Sequence, residues 1–242
     1  MTGSRPILVV HGALGSAAQM QPVAEALRAL GKVEIVELPG HGETPLPDAS
    51  AFGMDSFADA IAAAVVQVGG RPGAAALAPL VFGYSMGGYA ALVLESRAPG
   101  TVGGIVTLGT KFEWTPELSV KEATRLDAAT IAAKVPKFAD VLAARHAGAG
   151  GWHRVLDDTA TLLRELGDAP LLDATTLGRI TIPVIVAVGA RDETVSADEA
   201  ERISRMLRNG TVAVLPDVPH PIERVPPDAI SALVSNVLSS IG

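Results

Sequence analysis

The sequence predicts an α/β fold: a doubly wound, mainly parallel six-stranded sheet interrupted by a helical insertion. Three observations carry this. Short β-branched runs alternate with helical stripes along most of the chain, the pattern of strands joined by crossover helices. One run, Ile182-Pro183-Val184-Ile185-Val186-Ala187-Val188, contains no polar residue, as a strand covered on both faces requires. The alternation also stops at Lys111 and resumes only after Arg179. The expected organisation is a core domain over residues 1–110 and 180–242 with a helical lid over 111–179. The competing reading of that insert is an ordinary long crossover packed on the sheet.

The elements follow in order. Ile7 to Val10 is the first strand. Ser16-Ala17-Ala18-Gln19 reads as a capping box, serine and glutamine reaching for each other's backbone N–H. The helix behind it buries Met20, Val23, Ala24, Leu27 and Leu30 and stops at Gly31. Val33 to Leu38 is the second strand, and Pro39-Gly40-His41-Gly42 ends it. A polar loop, Glu43 to Ser50, leads to a helix marked by Phe57, Ile61, Ala64, Val65 and Val68. Leu77 to Phe82 and Gly104 to Leu108 are the third and fourth strands.

Within the insert, Ser119-Val120-Lys121-Glu122 opens one helical piece. Lys137 to Ala147 is a second and Trp152 to Leu166 a third. The fifth strand, 182–188, exits at Gly189-Ala190-Arg191-Asp192. Ser196-Ala197-Asp198-Glu199 is another capping box, whose helix carries Ala200, Ile203 and Leu207. Thr211 to Leu215 is the sixth strand, with Pro216 to His220 as its exit loop. The last helix has Ile230, Leu233, Val234, Val237, Leu238 and Ile241 at helical spacing, a core stripe.

Bulk properties narrow the function classes. The chain has 242 residues, 48% hydrophobic, with net charge −7 and no cysteine. That length suits one α/β domain with an insertion and buries a sizeable core without staples. Zero cysteines excludes a disulfide framework, a thiolate metal site and a cysteine nucleophile, and suits a cytoplasmic protein. The apolar stretch near the N-terminus is too short for a signal peptide core. No apolar run is long enough to span a membrane. No Lys/Arg cluster appears, so nucleic acid is not an expected partner. Nothing bears on oligomeric state.

The third strand runs into Gly83-Tyr84-Ser85-Met86-Gly87-Gly88 and then a helical stretch. That is strand, sharp turn and helix, with serine at the apex. Glycine tolerates the strained backbone such a turn needs. The helix N-terminus offers free N–H groups and the positive dipole end to developing negative charge. Many α/β proteins turn an ordinary corner this way, so the surrounding pattern has to decide. Candidate partners occur in the order Ser85, Asp192, His220, that is nucleophile, acid, base, and each follows a predicted strand. In a parallel sheet those loops open on one edge, where ligands of open α/β folds bind. His11-Gly12 follows the first strand. If winding reverses after the second strand, the first and third become neighbours and Gly12 to Gly15 faces the serine turn.

Chemistry assigns the roles. His220 takes and returns the Ser85 proton near neutral pH. Asp192, with Glu193 as its nearest substitute, holds the imidazole tautomer. Backbone N–H groups of Met86 and Ala13, or Leu14 in place of Ala13, face the oxyanion. Tyr84 and Trp114 are candidate substrate-binding residues. Phe112, Phe138 and Trp152 could also line a pocket or serve the insert's own core. His146 and His153 lie in a glycine-broken stretch, which is not a helical metal pair. A solvated or packing role fits them, and no metal or organic cofactor is called for.

These segments together resemble the α/β-hydrolase superfamily. Ile7 to Gly12 looks like its first motif strand and His-Gly oxyanion loop. Glu37-Leu38-Pro39-Gly40-His41-Gly42 looks like its Asp-x-Pro-Gly-His-Gly segment, with Glu37 where aspartate, one position earlier, is commoner. Gly83 to Gly88 matches the nucleophile elbow, Gly189-x-x-Asp192 the acid loop and Pro219-His220 the histidine loop. The resemblance covers all but the insert. It implies loop-organising roles for His11 and His41. In one departure, family members usually carry a hairpin before the first motif strand, and the sequence reaches that strand almost at once, so a sheet lacking the hairpin is expected. It implies a serine hydrolase of small ester or thioester substrates acting through an acyl-enzyme. A serine at the elbow argues against the aspartate-based dehalogenase and epoxide hydrolase chemistries of related proteins. The rivals are a lyase or carbon–carbon hydrolase, a perhydrolase, and a ligand-binding protein of the same fold. The lyase would use Lys111, Lys121, Arg125, Lys134, Lys137 and Arg145 to hold an acidic substrate.

Overall fold

The computed structural model describes residues 5–46, 52–70 and 78–241. Six strands form one sheet in the order β2-β1-β3-β4-β5-β6: β1 (Ile7–Val10), β2 (Val33–Val36), β3 (Leu80–Tyr84), β4 (Gly104–Leu108), β5 (Val184–Arg191) and β6 (Gly210–Pro219). Every neighbouring pair is parallel. Winding does reverse after β2. Val10 lies beside Gly83 in register, so the loops leaving β1 and β3 adjoin at the switch point. Part of the expected third strand, Leu77, lies outside the described residues.

Strand side chains alternate between two buried layers. Leu8, Val10, Val81, Ile105 and Val186 join one layer with α2 (Met54–Gln67), α3 (Met86–Arg97) and α9 (Ala197–Met206). Ile7, Val9, Leu80, Phe82, Val106 and Ile185 join the other with α1 (Gln21–Leu27) and α10 (Pro227–Ser240). Both faces are covered, which is why β1 and β3 read as apolar runs and β4 is interrupted only by Thr107. The edge strand β6 is less buried than its neighbours: Val212 and Val214 are exposed, because no further strand covers its outer edge. This strand also runs on to Pro219, so His220 follows it directly and the expected exit loop from Pro216 is strand. A register irregularity between Gly189 and Arg191 bends β5 at the same level, as bulges do near functional edges.

Five helices, rather than the expected three pieces, separate β4 from β5: α4 (Pro116–Thr124), α5 (Ala128–Lys134), α6 (Pro136–Arg145), α7 (Trp152–Asp168) and α8 (Ala174–Leu177). Local caps explain the extra breaks. Thr115, Asp127 and Asp173 each accept the N–H three residues on at α4, α5 and α8, and α6 starts on Pro136.

The two expected capping boxes are only half formed. Ser16 Oγ accepts the Gln19 N–H at a long 3.4 Å, but the Gln19 amide turns to Glu223. A 3₁₀ turn over Ala18–Met20 takes the place of the first helical turn. Ser196 caps Glu199 N–H at 3.1 Å, yet the Glu199 carboxylate leaves its own helix. It accepts Lys111 Nζ at 2.9 Å and the N–H groups of Phe112 and Glu113 at 2.7 and 3.0 Å, tying the start of the insert to α9. No helix among the described residues is long and apolar enough to cross a membrane.

Candidate active site

The serine turn is built by close approach. Ser85 sits between β3 and α3 at φ 51°, ψ −118°, a conformation that costs a non-glycine residue roughly 1–3 kcal/mol unless its surroundings hold it. They do. Ser85 N–H donates to Leu108 O at 2.8 Å, and Ser85 O accepts Thr110 Oγ1 at 2.8 Å and Gly88 N–H at 3.0 Å. The flanking glycines are steric requirements. A Cβ on Gly83 would lie 2.5 Å from Gly88 Cα, one on Gly87 2.5 Å from His11 O, and one on Gly88 2.2 Å from Thr110 Oγ1.

Asp192 and His220 meet at the same edge. His220 Nδ1 donates to Asp192 Oδ2 at 2.8 Å. Asp192 Oδ1 accepts the N–H groups of Thr194 and Val195 at 2.8 and 2.9 Å, so both carboxylate oxygens are used and the side chain is only 1% exposed. This pairing places the imidazole proton on Nδ1 and leaves Nε2 with a lone pair. Glu193, the alternative acid, is exposed and plays no part. Tyr84 donates its hydroxyl to the His220 carbonyl at 3.0 Å, which anchors the histidine loop to β3. Its phenol is pushed well above its usual range by burial first, then by Glu223 and Asp192. Gly109, with φ +62°, lies beneath the pair: a Cβ there would be 3.1 Å from Asp192 Oδ2 and 3.2 Å from the imidazole.

Ser85 and His220 line one cavity of about 320 Å³ together with Ala13, Leu14 and Met86, within the size range of small-molecule sites. No hydrogen bond joins Ser85 Oγ to the imidazole among the described contacts, and catalytic hydrogen bonds commonly tighten only with substrate bound. The N–H groups of Ala13 and Met86 make no described hydrogen bond to another protein group. Leu14 N–H is likewise unpaired, so the choice between Ala13 and Leu14 stays open.

The loop after β1 is held from two sides. His11 is fully buried, donates from Nδ1 to Gly12 O at 2.8 Å, and accepts Leu38 N–H at Nε2 at 3.0 Å. From the insert, Arg145 Nη1 donates to Leu14 O at 2.7 Å and His146 Nε2 to the same oxygen at 3.1 Å. Leu14 has φ 57°, and these bonds fix its carbonyl in that strained turn. His146 Nδ1 in turn accepts Gly42 N–H at 3.0 Å. Burial, outweighing its other neighbours, lowers the His146 pKa to about 4. His41 lies beside it, fully buried, its pKa well below the usual value through burial first and then His11.

Of the candidate aromatic lining, Tyr84 and Trp114 border the cavity. Phe112 is instead core, stacked on Tyr89. Phe138 is exposed, and Trp152 packs among insert residues. His153 is exposed while His146 is fully buried, so the two share no site. Lys111 and Arg125 reach the cavity, but Lys111 pairs with Glu199 and Arg125 with Glu122. A larger hollow of about 530 Å³, lined partly by Asp55, Asp158 and Glu165, includes none of Ser85, Asp192 and His220.

Sequence reasoning missed Gly109, Thr110, His146, Thr159 and Glu199 as parts of this region, and it named Arg145 only as a cation for an acidic substrate, whereas it bonds Leu14 O. Gly109-Thr110 had a legible signal, a glycine and a hydroxyl at the carboxyl end of a predicted strand. The others act across the fold, with no local mark.

The residue pattern of the alpha/beta hydrolase family matches residues 7–233, and the chain belongs to that family. Among curated proteins, it is 24% identical to the pimeloyl-[acyl-carrier protein] methyl ester esterase of Neisseria meningitidis, over 89% of this chain and 71% of that one. It is 35% identical to the biotin biosynthesis bifunctional protein BioHC of Cellvibrio japonicus, a match covering 43% of this chain but only 19% of that protein. Among solved structures, NosK from Streptomyces actuosus superposes with a TM-score of 0.77 at 23% identity, covering 98% of this chain and 99% of that one. That likeness concerns the fold.

Proposed function

We propose that this protein is a serine hydrolase that cleaves an ester or thioester of a small acyl substrate through an acyl-enzyme. The observation that carries the reading is the Asp192–His220 hydrogen bond at the mouth of the cavity that Ser85 also lines. In this mechanism Ser85 Oγ attacks the acyl carbon while His220 Nε2 takes its proton. Asp192 stabilises the imidazolium without accepting the proton. The oxyanion receives hydrogen bonds from the N–H of Met86, at the positive end of α3, and from that of Ala13 or Leu14. The intermediate collapses, the acyl–oxygen or acyl–sulfur bond breaks, and His220 returns the proton to the departing alcohol or thiol. Water, deprotonated by the same nitrogen, then releases the acid. The esterase named among the relatives supports this class, and the apolar cavity suits an acyl group. The internal pairing of Lys111 and Arg125 weakens the lyase reading, which needs free cations for an acidic substrate.

A fluorophosphonate probe tests this directly. Covalent labelling at Ser85, with a burst of product from an activated short-chain ester, is the expected result. Both signals should vanish in Ser85→Ala. Labelling elsewhere, or turnover surviving Ser85→Ala, would overturn the proposal.

A further inference from the structure

The hollow of about 530 Å³ and the cavity of about 320 Å³ that Ser85 lines have two residues in common, Met54 and Leu166. Helix geometry shows how this arises. On α7, Thr159, Leu163 and Leu166 line the Ser85 cavity, at positions i, i+4 and i+7 of one stripe. Asp158, Leu162 and Glu165 line the hollow from a second stripe, roughly a quarter turn round the same helix. Leu166 sits where the stripes adjoin and borders both spaces. Met54, the first residue of α2, does the same, whereas Asp55 and Ser56 after it line only the hollow. Met54 and Leu166 belong to one buried cluster and are 4% and 2% exposed. A water-wide passage past them would leave them more surface than that, so the division between the two spaces is closed here.

The layers of the fold say which half of a substrate points toward this division. In the proposed mechanism His220 returns the proton to the leaving group. The residues beside it, Val218 and Ile222, pack in the layer of α1 and α10. Met54 and Leu166 pack in the opposite layer, with α2, α3 and α9. The leaving group departs on the His220 side, and the acyl chain runs toward Met54 and Leu166.

We propose that Met54 and Leu166 are specificity-determining residues: they end the acyl-binding space and confine the enzyme to short acyl chains, and the hollow behind them takes a longer chain only when they are cut back. This rests on the reading of Ser85 as the nucleophile of an acyl transfer. The hollow is lined by Asp55, Asp158 and Glu165 and, among the described residues, by no Lys, Arg or His. A chain that enters it therefore has an uncharged end, because no cation offsets the burial of a carboxylate.

The test uses turnover and binding. Hydrolysis is followed for p-nitrophenyl esters of straight acyl chains from acetyl to palmitoyl, and for acetate esters of alcohols of matching lengths. Wild-type kcat/KM should fall beyond a short acyl chain. Met54→Ala and Leu166→Ala should each raise the long-to-short ratio by roughly ten-fold or more, for chains without a terminal carboxylate. Leu162→Ala, on the same helix but lining only the hollow, should keep the wild-type ratio. Should Leu166→Ala not fold, Met54→Ala at the start of α2 decides alone. Calorimetry with the matching acyl amides, on Ser85→Ala with and without Met54→Ala, should show the same shift in preferred length. Ratios unchanged in Met54→Ala, an equal gain in Leu162→Ala, a gain along the alcohol chain in place of the acyl chain, or an equal gain for carboxylate-ended chains would overturn the proposal. A length shift in binding with no ester turnover by the wild type would uphold the division and overturn the hydrolase.

Discussion

Acidification from about pH 7 to about pH 4.5 should destabilise this protein through His146, and the size follows from its surroundings. The imidazole is fully buried. Its Nδ1 accepts Gly42 N–H and its Nε2–H faces Leu14 O, so the neutral form is the one that fits, and a proton on Nδ1 breaks the first bond. Burial holds the folded-state pKa at about 4, against about 6.5 in the unfolded chain. Because the folded value lies below the unfolded one, this contribution is complete above pH 6.5. It is lost as pH falls toward 4, since the unfolded chain binds the extra proton. Across that window the slope approaches 1.4 kcal/mol per pH unit, and the loss by about pH 4.5 is roughly 2–3 kcal/mol. His41, its pKa lowered mainly by burial and then by His11, adds in the same direction. Glu37, Arg145 and His11 act on His146 with smaller and opposing effects. Urea denaturation followed by tryptophan fluorescence at several pH values measures the slope. His146→Gln should be less stable at neutral pH but should lose about one proton's worth of the pH dependence. Equal slopes for the two proteins would refute the linkage, whatever their absolute stabilities.

Two further substitutions probe the supports of the site. Glu199→Ala strands Lys111 Nζ and two backbone N–H groups in a buried setting, and should cost about 3–5 kcal/mol in urea titrations. Glu199→Gln keeps an acceptor and should cost less, so a loss below about 1 kcal/mol for the alanine variant contradicts the role given to this carboxylate. Gly88→Ala drives a methyl into Thr110 Oγ1 and close to Gly83 O and Thr107. It should cost about 1–3 kcal/mol and slow fluorophosphonate labelling, because Thr110 is one of the two groups that hold the Ser85 carbonyl. Labelling at the wild-type rate would show that the elbow does not depend on that contact.

The insert bears on the site in a way its composition did not announce. Arg145 and His146, at the end of α6, both bond the carbonyl of Leu14 in the loop after β1. Trp114 and Thr159 form part of the cavity wall. One part of the insert thus borders the cavity while another, the end of α6, holds the Leu14 carbonyl in the loop after β1.

Much of this was readable from the chain alone, because it is written in local terms. Apolar runs identified β1, β3 and β5, and β4 despite its Thr107, and a glycine-serine-glycine turn between strand and helix identified Ser85. The order of Ser85, Asp192 and His220 after successive strands implied one shared edge, because parallel strands with right-handed crossovers put their exits together. The errors have equally physical sources. Ser16-Ala17-Ala18-Gln19 has capping-box residues, but the chain enters a 3₁₀ turn there and Glu223, distant in sequence, takes the Gln19 amide. Glu199 looked like a cap partner, yet three donors at the start of the insert compete successfully for its carboxylate.

What periodicity and turn chemistry determined by themselves was the class of fold and the identity of the three residues proposed for catalysis; the winding reversal that seats β1 beside β3 was only a condition until the strand order was known. What only the tertiary structure decided was partnership across the fold. Gly109 gives Asp192 and His220 room to meet, and Arg145 and His146 reach Leu14. A hydrogen bond between residues a hundred positions apart has no local propensity to reveal it, because it forms only after both ends have been placed by packing elsewhere.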